Sequence, residues 1–482
     1  MATHSPAAPR ISMGSPINAM LVAGSLGLAL VSVALIYLLG LYALLVPAYL
    51  GAIWLILVNP RAGALLIMSV AIVLEPGVDD WTKPIADCYW ELPSKWTFTV
   101  VTVSPFELLL VLCAGSIAFR SRGMVRAKLP ILTWAVLLAL AAGLAYGKLK
   151  GAPSNLAYHE MRGFIFGAVV FFIAMRMPGS VKRPAIAIIL GSAAVAALIC
   201  INRYWTELRT GRVQSEVAFA HETPVFLAIG MMLALALLPA QKETWKRLVL
   251  LMFAALFGIA IIATSRRAGT LVVLTGLLTL GALLFRHRPV LITCLGAAAL
   301  IAGTAYVGAY WNHEYGALAQ PARAIRSQID PSTRDQSSDM YRETEKYNVA
   351  QTLRLNRLFG VGFGRPFIQF QPLPDLTSFW PLQHYVPHEN VLWLWLKLGL
   401  AGTAVVLGFT VIALRRLLNA ASQLKPEDPR WVLAAICACV VLMYLAYSTV
   451  DIAFGTSRSV APLAAAIAIG VTQPFERKEA PA

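Results

Sequence analysis

Pro387-His388-Glu389-Asn390-Val391-Leu392-Trp393-Leu394-Trp395 is where the chain changes character. Before it lies a hydrophilic segment from about Tyr310 to Glu389, the only lengthy polar interval in the sequence. After it, the run from Val391 to Leu414 is apolar except for Lys397. A polar stretch of that length meeting a helix-forming apolar run reads as a loop outside a membrane that plunges into a span. Working outward in both directions, apolar runs near 20 residues recur at 17–38, 40–58, 61–76, 104–119, 129–146, 162–176, 184–202, 223–239, 248–264, 268–285, 290–309, 390–414, 431–450 and 458–472. The expected fold is therefore an all-α polytopic membrane protein of about 12–14 transmembrane helices. The large, partly helical loop 310–389 is expected to precede its last three spans, all within one integral domain, 1–482. The first run reads as a retained helix rather than a signal peptide, because no small-residue cleavage site follows it.

Composition agrees. Of 482 residues, 58% are hydrophobic and only 13% charged, about half the charge fraction of a soluble domain. The net charge of +16 invites a nucleic-acid reading, but its distribution argues otherwise. With the N-terminus inside, the short connections on that side and both tails hold 20 Lys and Arg against 5 Asp and Glu, while everything else nearly balances. That is the positive-inside pattern. It places both termini in the cytoplasm and every long loop outside, with no nucleic acid as partner. Five of the six cysteines lie inside apolar runs, and none has metal-binding or disulfide spacing. Neither a metal nor another cofactor is expected.

Inside the large loop, Asp339–Arg357 reads as a helix lying outside the bilayer. Tyr347, Ala350 and Leu353 share one face, while Arg342, Glu345 and Lys346 lend charge to the rest. Leu358-Phe359-Gly360-Val361-Gly362-Phe363-Gly364 then alternates glycine with apolar residues, a pattern for a tight irregular turn rather than a phosphate cradle. Pro366–Pro387 reads as extended loop.

Ionisable residues gather at the outer ends of the spans, which points to an outward-opening polar cavity. His388 sits at the start of an apolar helix. The free N–H groups and partial positive charge there disfavour imidazolium, leaving a neutral ring able to take a proton from a hydroxyl. A histidine merely satisfying a loop carbonyl is the plainer reading. Arg266-Arg267 occupies a short outer turn where positive charge is not favoured, and paired guanidiniums suit a phosphate in forked geometry or snorkel to headgroups. Arg342 either reaches the same ligand or pairs with Glu345 three residues on. Arg203, Arg209, Arg212 and His221-Glu222 form a second rim. A solvated loop is the expectation for most of them, with Arg212 as the exception. Lys397 lies about 10 Å below the outer end of its helix, either on a diphosphate or paired with Glu107. Glu389, Asn390, His221, Arg212, Arg267 and Lys397 are the expected substrate contacts, around His388, Arg266 and Arg342 as the reactive set.

These residues resemble the bacterial O-antigen ligase and polysaccharide polymerase family. Thr264-Ser265-Arg266-Arg267-Ala268 is similar to its arginine-bearing turn. Tyr341-Arg342 followed by the Leu358–Gly364 turn resembles its outer-loop helix and glycine motif. Pro387-His388-Glu389-Asn390 and then Gly399-Leu400-Ala401-Gly402 resemble its histidine-headed helix. Together these span about 200–415. Glu389 stands where the family often has Asn after the histidine, and Lys397 where an acid is frequent. The resemblance implies an inverting, metal-independent glycosyltransferase in the bacterial cytoplasmic (inner) membrane. Its donor would be an undecaprenyl-diphosphate-linked glycan. Its acceptor would be another glycan, in exopolysaccharide biosynthesis, or lipid A-core, in lipopolysaccharide biosynthesis. Membrane lipid and other polysaccharide-export proteins would be its surroundings. It further implies Arg266, Arg342 and Arg212 on the diphosphate and His388 on the acceptor hydroxyl. The rival class, a secondary transporter or lipid-linked substrate flippase, calls for paired broken helices and mid-span ion sites, which the sequence does not display.

Overall fold

A computed structural model describes residues 45–76, 82–90, 103–120, 130–176, 183–210, 220–264, 266–313, 317–327, 329–330, 333–377 and 380–473. The apolar run 17–38, Arg212 and both chain ends lie outside them. The described chain is all-α. Its helices are α1 (Leu45–Val58), α2 (Pro60–Val73), α3 (Lys83–Trp90), α4 (Pro105–Arg120), α5 (Ile131–Leu149), α6 (Ser154–Met175), α7 (Arg183–Thr210), α8 (Thr223–Leu237), α9 (Thr244–Ala263), α10 (Arg267–Phe285), α11 (Pro289–Tyr310), α12 (Gln320–Arg326), α13 (Thr333–Leu355), α14 (Asn390–Gln423), α15 (Pro429–Tyr447) and α16 (Ser457–Thr472). Nine helices among the described residues are long and apolar enough to cross a membrane, and α1, α2 and α16 are shorter apolar helices. Each apolar run marked in the sequence, other than 17–38, is a helix here. The protein is thus a multi-pass membrane protein.

Helices α6, α8, α14, α15 and α16 form the buried centre, and α5 and α10 pack on its flanks. In a bilayer the packing of helices relies on close approach rather than on exclusion of water, so small residues mark the tight crossings. A β-carbon at Gly163 of α6 would stand 2.5 Å from the Phe454 carbonyl, and one at Gly167 would stand 2.8 Å from the Val460 side chain. By contrast α11 buries no residue at all. It packs against α10 and α12 at the margin.

The glycine turn Leu358–Gly364 inserts between α5 and a break in α14. Gly399 has φ +66°, interrupting the helix after its first nine residues. That break frees the Leu396 carbonyl, which accepts the Val361 N–H at 2.6 Å, while the Leu400 N–H donates to the Arg357 carbonyl at 3.2 Å. On the other side Phe363 N–H donates to the Gly143 carbonyl of α5 at 3.2 Å. Backbone groups released by an interrupted helix must find partners away from water, and the turn supplies them. Its glycines are required by that closeness: a β-carbon at Gly360 would lie 2.3 Å from the Leu396 carbonyl oxygen, and one at Gly399 would lie 2.0 Å from that of Leu358. The expectation of a structural turn holds, and the break it fills was not foreseen.

The loop segment also departs from expectation. Helix α13 begins at Thr333 and ends at Leu355, rather than running 339–357. Its inward stripe is Glu345, Asn348, Val349, Thr352 and Leu353, while Tyr347 is 42% exposed. The face predicted from Tyr347, Ala350 and Leu353 was rotated, because polar side chains here bond the strap that follows. Asn348 Oδ1 accepts the N–H groups of Phe370 and Gln371 at 2.9 and 2.8 Å, and its Nδ2 donates to the Gln371 carbonyl. Thr352 Oγ1 accepts the Ile368 N–H at 2.9 Å. Each such bond contributes about 1 kcal/mol net, and together they fix Phe367–Gln371 across the helix.

Candidate active site

His388 is held on both sides. Its own N–H donates to Glu345 Oε2 at 2.9 Å, and its ring Nδ1 lies 3.0 Å from the same oxygen. An oxygen already accepting one N–H offers a lone pair, so Nδ1 donates to it and the remaining ring nitrogen, Nε2, is the acceptor. No described residue bonds Nε2. Trp380 stands edge-on to the ring at 5.0 Å and Tyr341 at 5.9 Å. Tyr341 accepts a hydrogen bond from Gln383 Nε2 at 3.2 Å. Burial, and then the adjacent Glu345 charge, push its phenol up to about 12. Below, Asn390 locks the start of α14. Its N–H donates to the Ser448 carbonyl, its Nδ2 donates to the Pro387 carbonyl, and its Oδ1 accepts the Phe454 N–H at 2.7 Å.

His388, Glu345, Arg342 and Glu389 line one cavity of about 560 Å³ between α13 and the head of α14. Lys346 also faces it and pairs with Glu389 at 3.0 Å. Arg267, at the first turn of α10, reaches two lining residues: Asp339 Oδ1 at 3.0 Å and Ser327 Oγ at 3.3 Å. Arg342 has no ion-pair or hydrogen-bond partner among the described residues. A guanidinium on a cavity wall without a carboxylate is a ready anion site. Seen from the sequence, Arg342 was a candidate to pair with Glu345. In the fold Glu345 turns away to the histidine, which is what leaves Arg342 to the cavity.

Arg266 is not among the residues lining that cavity. Its Nη1 lies 3.2 Å from His221 Nδ1, and His221 Nδ1 lies 2.8 Å from Asp451 Oδ1. One nitrogen cannot donate and accept at once, so the bond is from His221 to Asp451, with Arg266 beside it as a counter-charge. Burial alone would raise the Asp451 carboxyl. The His221 bond and the charges of His221 and Arg266 outweigh it, holding the carboxyl at about 2. The Asp451 loop also carries Thr449 and Val450 into the cavity wall, so the two clusters are neighbours joined through the 448–451 turn.

Three expectations need correction. Lys397 is fully buried and pairs with Glu160 at 2.6 Å, also donating to the Arg365 carbonyl. It neither lines the cavity nor meets Glu107, whose carboxylate binds Arg162 in two bonds of 2.6 and 2.8 Å. Asn390 spends both ends of its amide on backbone groups, a structural task rather than a substrate contact. Arg203, expected on a solvated loop, belongs to the extended α7 and is 6% exposed, bonded to Glu75 and Thr82. The same Glu75 carboxylate also takes Ala220 N–H and Thr223 Oγ1. Beside it Arg458 is 1% exposed, with Nε donating to the Ala71 carbonyl and Glu222 Oε1 at 3.3 Å from Nη1. Sequence reasoning missed Glu345, Asp451 and Arg458 as partners. Glu345, three residues from Arg342, carried a signal that pointed to the wrong partner. The other two had none beyond being charges beside spans.

Fold and site together define a helical, multi-pass membrane protein whose polar loop closes a charged, histidine-bearing cavity over a broken helix, with Arg342 and Lys346 set among four carboxylates. Residues 248–407 match the family model described as O-antigen ligase. That is about a third of the chain, within 200–415, and includes Arg266, Arg267, Arg342, His388 and Lys397. The match supports the resemblance read from the motifs over that segment, which is similar to O-antigen ligases. No curated protein matches the chain.

Proposed function

We propose that the protein transfers a glycan from an undecaprenyl-diphosphate-linked donor to an acceptor sugar hydroxyl at the outer face of the bacterial cytoplasmic membrane. One observation carries the reading: Arg342, a cation with no described partner, and His388, a ring with one nitrogen free, line the same cavity. The acceptor oxygen attacks the anomeric carbon as the bond from that carbon to the diphosphate oxygen breaks. The diphosphate leaves with the electron pair, and the hydroxyl proton passes to His388 Nε2. A single displacement of this kind inverts the anomeric centre. Negative charge grows on the departing diphosphate, where Arg342 stabilises it. Arg267 and Lys346 sit within reach of the same wall, and each would exchange its present carboxylate for the phosphates. Arg266 acts from the adjoining cluster by keeping the 448–451 turn in place.

A transporter draws no support from the interrupted helix. Among the described residues α14 alone has a non-helical interior position, and the turn that fills the break is bonded on both sides rather than open to a substrate. The test is transfer itself. Purified protein in lipid nanodiscs, given a fluorescent glycan on polyprenyl diphosphate and a soluble or lipid-linked glycan acceptor, is expected to form a longer product. His388→Ala should lose that product while keeping its thermal unfolding profile. Full activity in His388→Ala would refute the assignment, and lack of transfer by the unaltered protein with any lipid-linked donor would refute the reaction class.

A further inference from the structure

Glu345 is the least expected member of the site. It lies one turn along α13 from Arg342, where a solvent-facing acid would ordinarily sit, yet it is 2% exposed. One of its oxygens, Oε2, takes both the N–H and the ring Nδ1 of His388. Its other oxygen, Oε1, is buried without a partner of good hydrogen-bonding geometry among the described residues, although the carboxylate lies beside the Tyr341 phenol. Leaving a carboxylate oxygen buried and poorly bonded is costly. A residue serving only as a peg for a backbone N–H would not need a charge there, since a neutral amide oxygen also accepts, though less strongly.

We propose that Glu345 is a positioning residue for His388: it fixes the Nδ1–H tautomer, aims Nε2 at the acceptor hydroxyl, and stabilises the positive charge that the ring gains on taking the proton. This rests on the role given above to His388. In the step, the acceptor O–H bond breaks toward Nε2 and the new bond from oxygen to the anomeric carbon forms. The ring becomes imidazolium, and Glu345 remains ionised throughout. The arrangement needs no proton on Glu345, because the carboxylate acts by its charge and by its fixed place. A carboxylate beside a ring that turns cationic only during the reaction lowers the barrier without strengthening substrate binding. Its loss therefore belongs in kcat.

The experiment separates this from a merely structural role. In nanodisc-embedded full-length protein, Glu345→Gln keeps an oxygen for the His388 N–H and removes the charge. The expected result is a fall in kcat of about 10- to 100-fold, with KM for donor and acceptor within about twofold of the unaltered protein. Glu345→Asp, which restores the charge on a shorter stem, should recover part of the rate. Any residual transfer left in His388→Ala should fall no further when Glu345→Gln is added, because the two act through one another. A wild-type kcat in Glu345→Gln, a change confined to KM, or an additive loss on top of His388→Ala would each overturn the proposal. Should Glu345→Gln unfold, Glu345→Asp carries the same readout: kcat lowered at constant KM supports the role, and an unchanged kcat overturns it. Failure of the wider reading would look different, since the unaltered protein would then transfer nothing.

Discussion

The Lys397 ammonium lies 2.6 Å from the Glu160 carboxylate, and solvent reaches neither side chain. The pair sits just before the break at Gly399. Glu160 also accepts the Gly364 N–H, and Lys397 donates to the Arg365 carbonyl, so this contact ties α6, the glycine turn and the first part of α14 together. It thereby anchors the first part of the helix that follows His388.

Removing one partner of such a pair leaves an uncompensated buried charge, which typically costs about 3–5 kcal/mol, while replacing both by apolar groups is often nearly neutral. Lys397→Met and Glu160→Leu are each expected to lower the unfolding midpoint in detergent strongly. The double variant should recover most of the loss. Thermal unfolding followed by tryptophan fluorescence checks this, and equal loss in all three would show that the pair is not what holds the junction.

Gly399→Ala should be poorly tolerated. Its φ of +66° is unfavourable for a side chain, and the added carbon would meet the Leu358 carbonyl oxygen at 2.0 Å. A β-carbon at Gly408, further along α14, meets nothing within 4 Å. Gly408→Ala is therefore the matched control and should express and unfold as the parent does. Folded protein yield by size-exclusion chromatography distinguishes them.

Arg342 separates activity from stability in a way that Arg267 does not. Arg342→Ala should reduce transfer by about 10²- to 10³-fold, the scale for deleting a donor to a developing anion, with little change in stability because no described residue depends on it. Arg342→Lys keeps the charge and loses the fork, and should fall between. Arg267→Ala unties Asp339 and Ser327, so loosening of α13 should accompany its loss of rate. Initial rates paired with unfolding midpoints for the three variants test the distinction.

Asp451 gives a pH dependence of definite sign. Its folded carboxyl titrates at about 2 against an ordinary value of 3.8. The stabilisation is therefore fully present above pH 3.8 and is lost as pH falls through about 2. Asp451→Asn is expected to be less stable than the parent at neutral pH by about 2 kcal/mol. That gap should close progressively below about pH 4. Unfolding midpoints of both proteins from pH 7 to pH 3 provide the measurement, and a gap that stays constant over that range would contradict the assignment.

Helix type and span positions were legible in the sequence because a bilayer admits only long apolar helices whose backbone is satisfied internally. The run 390–414, the heads of α8, α10 and α16, and the glycine turn all lie where the pattern put them. His388 at the head of an apolar helix and Arg342 on the loop helix were also visible as candidates, and the structure brings both to one cavity. What the pattern misjudged were the partners. Glu345 was read along its own helix toward Arg342, and Lys397 was read toward Glu107, because local spacing is visible in a sequence and distant approach is not.

By itself, then, the sequence determined that this is a multi-pass helical membrane protein with one long polar loop, since hydrophobic length and charge asymmetry act residue by residue. Only the tertiary structure decided which carboxylate each cation meets. Glu345 reaches His388 and Glu160 reaches Lys397 because α13 packs over the head of α14 while α6 runs beside it. Such ion pairs form where buried charges are brought within hydrogen-bonding distance, which is settled by how the helices cross rather than by how far apart their residues lie along the chain.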